Sequence, residues 1–148
     1  MRARSAYPLW PAVAAMLKSL LLLAALWLWK GRPTMMTDNL FKKIIDKQLP
    51  ARIIHEDEHC LAFHDIHPQA PVHVLLIPRK EIRTHADVAA ADQDLLGHLH
   101  LVAVQLARQL GLEAGYRLVI NCQEQAGQTV PHLHLHLLGG RAFGWPPG

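Results

Sequence analysis

Apolar residues in the second half of the chain follow a helical period. Between residues 95 and 110 they recur every three or four positions, which is the spacing that lines one face of an α-helix. Asp92 precedes this stretch as a predicted N-cap, and Gly111 follows it as a predicted C-terminal stop. The pattern therefore predicts one long amphipathic helix.

Shorter apolar runs on both sides of this helix predict strands. They cover residues 52–56, 59–64, 73–78 and 116–121, and a last strand that runs through Leu138 and ends at Gly139-Gly140. A short helix capped by Asp38 or Asn39 and reaching Asp46 precedes them. This order of elements predicts an α+β domain with one largely antiparallel sheet.

Composition and charge narrow the class of protein. The chain has 148 residues, of which 51% are hydrophobic and 18% are charged, so we expect one compact domain and not a disordered or fibrous chain. The formal net charge is +3, but residues 1–34 hold five Lys and Arg and no acidic residue, which leaves ten basic against twelve acidic residues elsewhere. Because the domain then lacks a basic surface, we expect no nucleic-acid partner. Cys60 and Cys122 are predicted to be reduced packing thiols.

The first 34 residues differ from the rest of the chain because most of them form one long apolar stretch. Their apolar stretch, residues 9–29, is interrupted by Pro11, Lys18 and Ser19. A bilayer requires about 20 apolar residues, and a lysine near the middle of a span costs about 2.5–3.5 kcal/mol. Three interpretations stay open: a membrane anchor, a non-native upstream extension, and a signal peptide that lacks a cleavage site after its leucine-rich run.

These interpretations define the predicted domain organisation. We separate an N-terminal apolar extension at residues 1–35 from a domain at residues 36–148. The expected location is cytoplasmic. Membrane contact is expected only if the extension is made and inserted.

Histidine alternates with leucine near the C-terminus. Residues 132–138 read HLHLHLL, and on a strand this alternation places His132, His134 and His136 on one face while the leucines enter the core. His98 and His100 have the same spacing, but two positions on a helix are about 200° apart, so these two cannot share a site.

Three kinds of chemistry can account for the alternating histidines. A solvated strand face does not require the same residue three times. A zinc ion is too small to bridge His132 and His136, which lie about 13 Å apart on a strand, so it needs a further ligand such as His64 or His73. Covalent catalysis needs neutral imidazole, which is abundant at neutral pH because its reference pKa is about 6.5. We favour covalent catalysis with no metal and no cofactor, supported by the turn Gly127-Gln128-Thr129, whose backbone N–H groups suit an anion.

The span from Asn39 to Gly148 resembles the histidine triad superfamily and, within it, the HINT branch of nucleotide-binding phosphoramidases. The motifs that carry the resemblance are Leu61-Ala62-Phe63-His64-Asp65-Ile66, Pro68-Gln69-Ala70-Pro71, Gly127-Gln128-Thr129, HLHLHLL followed by Gly139-Gly140-Arg141, and Trp145-Pro146-Pro147-Gly148. The resemblance implies a two-fold homodimer and a hydrolase that cleaves the P–N bond of purine nucleoside 5′-phosphoramidates through a nucleotidyl-histidine intermediate. Two alternatives stay open: a non-catalytic nucleotide-binding regulatory protein and a dinucleoside polyphosphate hydrolase.

The resemblance also implies roles for individual residues. His134 matches the nucleophile, His132 and His136 its triad partners, and His73 a supporting histidine, with Thr129 beside the leaving group. Asp65 matches the carboxylate that holds the ribose hydroxyls. The other implied nucleotide-binding residues are Leu40, Phe41, Ile44, Phe63 and Ile66 near the purine, Asn121, Gly127 and Gln128 near the phosphate, His64, and Trp145 close to the partner's site.

Two positions depart from that pattern. Thr129 stands where serine is common, and Pro131 where an aromatic residue is common. The loop at residues 121–126 is rich in side-chain amides, which leaves the preferred leaving group open.

Overall fold

One five-stranded sheet organises the part of the chain that the structure, a computed structural model, describes: residues 39–147. The strands are β1 (Ile53–Glu56), β2 (Cys60–His64), β3 (Val72–Pro78), β4 (Tyr116–Val119) and β5 (Leu135–Gly139). Their order is β1-β2-β3-β5-β4, and every neighbouring pair is antiparallel. The predicted α+β class is confirmed. The predicted extension at residues 1–35 and the candidate cap Asp38 lie outside the described residues.

The long helix α2 (Gln93–Gln109) covers one face of the sheet. Its predicted apolar stripe is confirmed, since Leu99, Val102 and Leu106 pack with Val74 and Leu76 of β3 in one buried cluster. No helix within residues 39–147 combines the length and the apolarity that a membrane span requires.

Asp92 is the N-cap residue of α2, as predicted, but its side chain does not cap the helix. Its carboxylate instead accepts the backbone N–H of Ala89 at 3.0 Å and pairs with Lys80, because a tight turn at Ala90–Asp92 brings those donors closer. Gly111 ends the helix with φ +69°, a left-handed conformation that glycine adopts without strain.

The short helix α1 (Leu40–Ile45) covers the opposite face of the sheet. Asn39, one of the two residues predicted to cap this helix, is its N-cap. Asp46 is its C-cap. The cluster between α1 and the sheet consists of Phe41, Ile44, Ile45, Leu61, Phe63, Leu75 and Ile77. Successive residues of β2 and β3 thus face α1 and α2 in turn, as a strand's period of two requires.

The last strand begins later than predicted. β5 starts at Leu135, so His132 and His134 precede it and only His136 lies within it. The ladder stops because the Pro78 carbonyl, at the end of β3, binds the His132 ring at 2.8 Å, while the N–H of Leu133 turns away to the Ile82 carbonyl. The strand predicted at residues 116–121 ends early, at Val119.

Candidate active site

The three alternating histidines converge on the α1 side of the sheet although two of them lie outside β5. Leu133, Leu135 and Leu137 are at most 1% exposed, as the alternation predicts. The ring centroids of His134 and His136 are 4.9 Å apart. The expected segregation of leucines from histidines is therefore present.

The hydrogen bond of His134 determines where its proton lies. Its Nδ1 is 2.7 Å from the carbonyl oxygen of His132, and a carbonyl can only accept, so Nδ1 carries the hydrogen. Nε2 then holds a free lone pair. Burial lowers the pKa of His134, with the charge of Asp65 opposing that shift, so the ring is neutral at neutral pH. This is the protonation state that a nucleophilic imidazole needs.

His132 is held on both ring nitrogens and is fully buried. Its Nδ1 accepts from the Asn39 side-chain amide at 3.0 Å, and its Nε2 donates to the Pro78 carbonyl at 2.8 Å. The amide orientation follows from the other end of Asn39, whose Oδ1 accepts the backbone N–H of Lys42. His132 thus has no free nitrogen for a ligand, and its contribution is to hold His134 through its carbonyl.

Sequence reasoning identified Asn39 only as a helix cap. Nothing in the sequence around Asn39 indicates that its amide nitrogen binds the ring of His132, 93 residues later.

His73 and His136 form a directed pair. The backbone N–H of Gln69 donates to His73 Nδ1 at 3.2 Å, so His73 carries its proton on Nε2 and donates it to His136 Nδ1 at 2.9 Å. His136 must therefore carry its own proton on Nε2. Burial, reinforced by the neighbouring His134 and His73, lowers the pKa of His136 to about 4.

The Nε2 atom of His136 is unsatisfied. Among buried side-chain nitrogens and oxygens of residues 39–147, it is the one atom without a hydrogen-bond partner. A buried donor left unpaired costs about 1–3 kcal/mol. Such a donor beside a free imidazole lone pair is suited to an acceptor that a bound ligand supplies.

Asp65 lies between the end of β2 and the start of β3, next to this pair. One carboxylate oxygen accepts the N–H of His67 at 2.8 Å, and the other is 3.5 Å from His73 Nε2. Its side chain keeps 17% exposure, which leaves it open to a ligand. Donor atoms of Asp65, His73 and His136 lie within 4.8 Å of one another, so these residues could hold a metal ion; His64, the other ligand considered for zinc, is not among them.

The predicted purine-contacting residues divide into two groups. Phe41, Ile44 and Phe63 are at most 5% exposed and belong to the α1 cluster. Phe41 also contacts the His134 ring edge-on at 5.2 Å and so supports the nucleophile. Leu40 and Ile66 are exposed, at 41% and 82%, and are free to meet a ligand.

Two further predicted contacts lie apart from these groups. His64 is half-buried, and burial lowers its pKa. Trp145 is 87% exposed.

The predicted phosphate loop is braced by Gln128. Its Oε1 accepts from the backbone N–H of Gln123, and its Nε2 donates to the carbonyls of Arg83 and Val130, all at 2.8–2.9 Å. Its amide is therefore occupied within the loop.

Other residues of the loop remain open to a ligand. Gly127 has φ +87°, and Asn121 is half-buried beside it. Thr129 is exposed and lines a cleft of about 420 Å³ together with Arg83 and Glu124. His132, His134 and His136 are not among the residues that line this cleft.

Comparisons with known proteins agree with this arrangement. The HIT domain family matches residues 46–143. An uncharacterised HIT-like protein of Synechocystis sp. is 54% identical over 114 residues, which cover 77% of this chain and all of that protein. The crystal structure of a HIT family hydrolase from Legionella pneumophila is 52% identical, with a TM-score of 0.73 over 74% of this chain and 98% of that one. A histidine triad nucleotide-binding protein from Candida albicans is 30% identical, with a TM-score of 0.63 over 72% and 82% of the two chains.

Proposed function

This chain belongs to the HIT domain family, and we propose that it is a hydrolase that cleaves the P–N bond of purine nucleoside 5′-phosphoramidates. Similarity to a HIT family hydrolase supports hydrolysis, and similarity to a histidine triad nucleotide-binding protein supports a nucleotide substrate. The observation that carries the proposal is the hydrogen bond from His134 Nδ1 to the His132 carbonyl, which leaves Nε2 as a neutral nucleophile in a buried position.

In the first step, His134 Nε2 attacks the α-phosphorus. An Nε2–P bond forms and the P–N bond breaks, so that the amine leaves with the bonding pair and takes one proton from solvent. His136 Nε2–H, which has no partner within residues 39–147, donates to an oxygen of the transferred phosphoryl group. A donor already in place stabilises the charge that develops there.

In the second step, water attacks the phosphorus of the intermediate. The Nε2–P bond breaks, its electron pair returns to His134, and the water molecule releases one proton, which balances the proton taken up by the amine. Asp65 binds the two ribose hydroxyls, since a carboxylate with one oxygen still open suits vicinal donors. The nucleoside monophosphate then leaves.

The test is turnover of adenosine 5′-phosphoramidate by the full-length protein. We expect free amine to be released, and we expect protein quenched at alkaline pH, where a P–N bond to histidine survives, to show the added mass of a nucleotidyl group. His134→Asn should lower the rate by about a thousandfold or more, the scale of losing a nucleophile. The matched control is His100→Asn, because His100 is an exposed histidine of α2 whose ring hydrogen-bonds to the carbonyl of Leu96.

Other outcomes would assign the chain differently. Equal rates in the wild type and His134→Asn would remove the nucleophile. Nucleotide binding without turnover would favour the regulatory alternative, and faster turnover of a diadenosine polyphosphate would favour the other hydrolase class.

The proposal includes a homodimer. Trp145 is 87% exposed in the single chain, and we propose that in the dimer it lies beside the partner's site. Light scattering of the purified protein measures the oligomeric state directly, and a monomer at all concentrations would contradict this part of the proposal.

A further inference from the structure

A second group of histidines lies on the face of the sheet that α2 covers, opposite to His134. His55 comes from β1, Cys60 from β2 and His98 from α2, and the turn between the two strands supplies Asp57. One oxygen of Asp57, Oδ2, is 2.8 Å from His55 Nε2 and 2.7 Å from His98 Nε2. The Cys60 sulfur lies 3.6 Å from the same oxygen. Four metal-ligating side chains, from three elements and one turn, therefore converge on one point.

The Asp57 carboxylate is held in place from the other side. Its Oδ1 accepts the backbone N–H groups of His59 and Cys60, at 2.8 and 2.7 Å. The His59 ring also packs edge-on against His98, with centroids 5.2 Å apart. The Asp57 carboxylate and the His98 ring are thus positioned by neighbouring contacts.

We propose that His55, Asp57, Cys60 and His98 bind one divalent zinc-like cation that links β1, β2 and α2. This site is separate from the proposed hydrolytic centre and does not depend on it. Donor atoms of the first three residues already lie within 4.8 Å of one another.

The distances fit tetrahedral zinc with a small adjustment. Bonds of about 2.3 Å to sulfur and about 2.1 Å to oxygen at the tetrahedral angle separate those two atoms by about 3.6 Å, which is the observed spacing of Cys60 Sγ and Asp57 Oδ2. The same geometry separates nitrogen and oxygen by about 3.4 Å. Each histidine nitrogen must therefore move outward by about 0.6–0.7 Å from its present hydrogen bond, and both rings keep side-chain exposure that permits this.

The donor set selects the type of metal. Two imidazole nitrogens, a carboxylate and a thiolate are typical of zinc and cobalt and are poor ligands for magnesium or calcium. The negative charges of the Asp57 carboxylate and the Cys60 thiolate neutralise the two positive charges of the cation. This neutralisation suits a site that is closed to solvent on the cysteine side. Cys60 is fully buried, whereas His98 keeps 34% of its side chain exposed and lies on the open side of the site.

Binding changes protonation without any redox step. Both histidines shift their hydrogen to Nδ1, so that each Nε2 offers its lone pair. Burial, together with the adjacent Asp57 carboxylate, raises the pKa of the Cys60 thiol to about 12, so the metal-free chain holds that proton. The thiol releases one proton to solvent as the sulfur–metal bond forms.

Cobalt(II) titration of the metal-free full-length protein tests the site. We expect one cobalt per chain, intense visible bands of four-coordinate cobalt, and a sulfur-to-cobalt charge-transfer band in the near ultraviolet. Cys60→Ser should abolish the charge-transfer band, while Cys122→Ser, which changes the chain's other free cysteine, should retain it. Cobalt without a sulfur band, or with a band that survives Cys60→Ser, would overturn the proposal.

Two further measurements do not depend on the folding of the Cys60 variant. His98→Gln should weaken cobalt binding by at least about tenfold, the lower bound for losing even an outer-shell partner, while His100→Gln on the same helix should leave it unchanged. X-ray absorption of the zinc-loaded wild type should show one sulfur neighbour. A shell of nitrogen and oxygen alone would place the metal elsewhere, as at His73 and His136. If the protein binds no metal, Asp57 is a hydrogen-bonding centre only. Either result would refute the site.

Discussion

Replacing Asn39 separates two functions that its side chain combines. Its Oδ1 caps α1 by accepting the N–H of Lys42 at 3.1 Å, and its Nδ2 donates to His132 Nδ1 at 3.0 Å. Asn39→Ser keeps a capping oxygen but lacks the amide donor that reaches the ring. Asn39→Ala loses both contacts. The two variants therefore isolate the ring contact from the cap.

The burial of His132 determines the expected size of the effect. The ring is 0% exposed, so water does not replace the lost donor, and an unpaired buried acceptor costs about 1–3 kcal/mol. Loss of an N-cap costs about 1 kcal/mol. We expect Asn39→Ser to lower the free energy of unfolding by about 1–3 kcal/mol, and Asn39→Ala to lower it by about 1 kcal/mol more.

Urea denaturation near neutral pH measures these differences, and nitrogen-15 NMR of the histidine rings reports the tautomers. In the wild type, His132 should carry its hydrogen on Nε2 and His134 on Nδ1. The His134 tautomer should survive both substitutions because its partner is a backbone carbonyl. An Asn39→Ser protein as stable as the wild type, or a wild-type His132 with its hydrogen on Nδ1, would refute the reasoning.

Three other perturbations test packing, ionisation and the ribose contact. Gly140→Ala should lower the free energy of unfolding by about 1–3 kcal/mol, because Gly140 has φ +84° and a Cβ would lie 2.9 Å from Pro71. Gly97→Ala lies inside α2, where the added carbon meets no atom outside the helix's own backbone within 4 Å, so it should instead raise the free energy of unfolding by about 0.5–1 kcal/mol. Urea denaturation measures both variants. A loss of stability in both would contradict the packing argument. Stability should also fall as pH drops from about 6.5, where the unfolded histidine titrates, towards the folded pKa of His136 at about 4, because only the unfolded chain binds that proton in this window. Denaturation across this range measures the slope, which His136→Asn should flatten; an unchanged slope would assign the effect to other groups. Asp65→Asn should reduce kcat/KM for adenosine phosphoramidate more than for its 2′-deoxy analogue, and equal losses would exclude the ribose contact.

Periodicity in the sequence determined the elements and the faces they bury. The spacing of apolar residues at 95–110 predicted α2, and the alternation at 132–138 predicted which side chains enter the core; both are borne out by burial. These properties are local, because the turn of a helix and the pleat of a strand repeat within a few residues. The same local motifs carried the resemblance to the histidine triad superfamily, and at that level the HIT domain match confirms it.

The protonation state of each histidine was decided by the tertiary structure. A histidine's tautomer depends on what its second nitrogen meets, and the partners of His132 lie 93 and 54 residues away, at Asn39 and Pro78. The late start of β5 also depends on a distant contact, because the His132 ring binds the Pro78 carbonyl. Likewise, His98 and Asp57 are 41 residues apart in the sequence, and they meet only because α2 packs on the sheet. Contacts over such separations come from packing, so no short pattern in the chain encodes them.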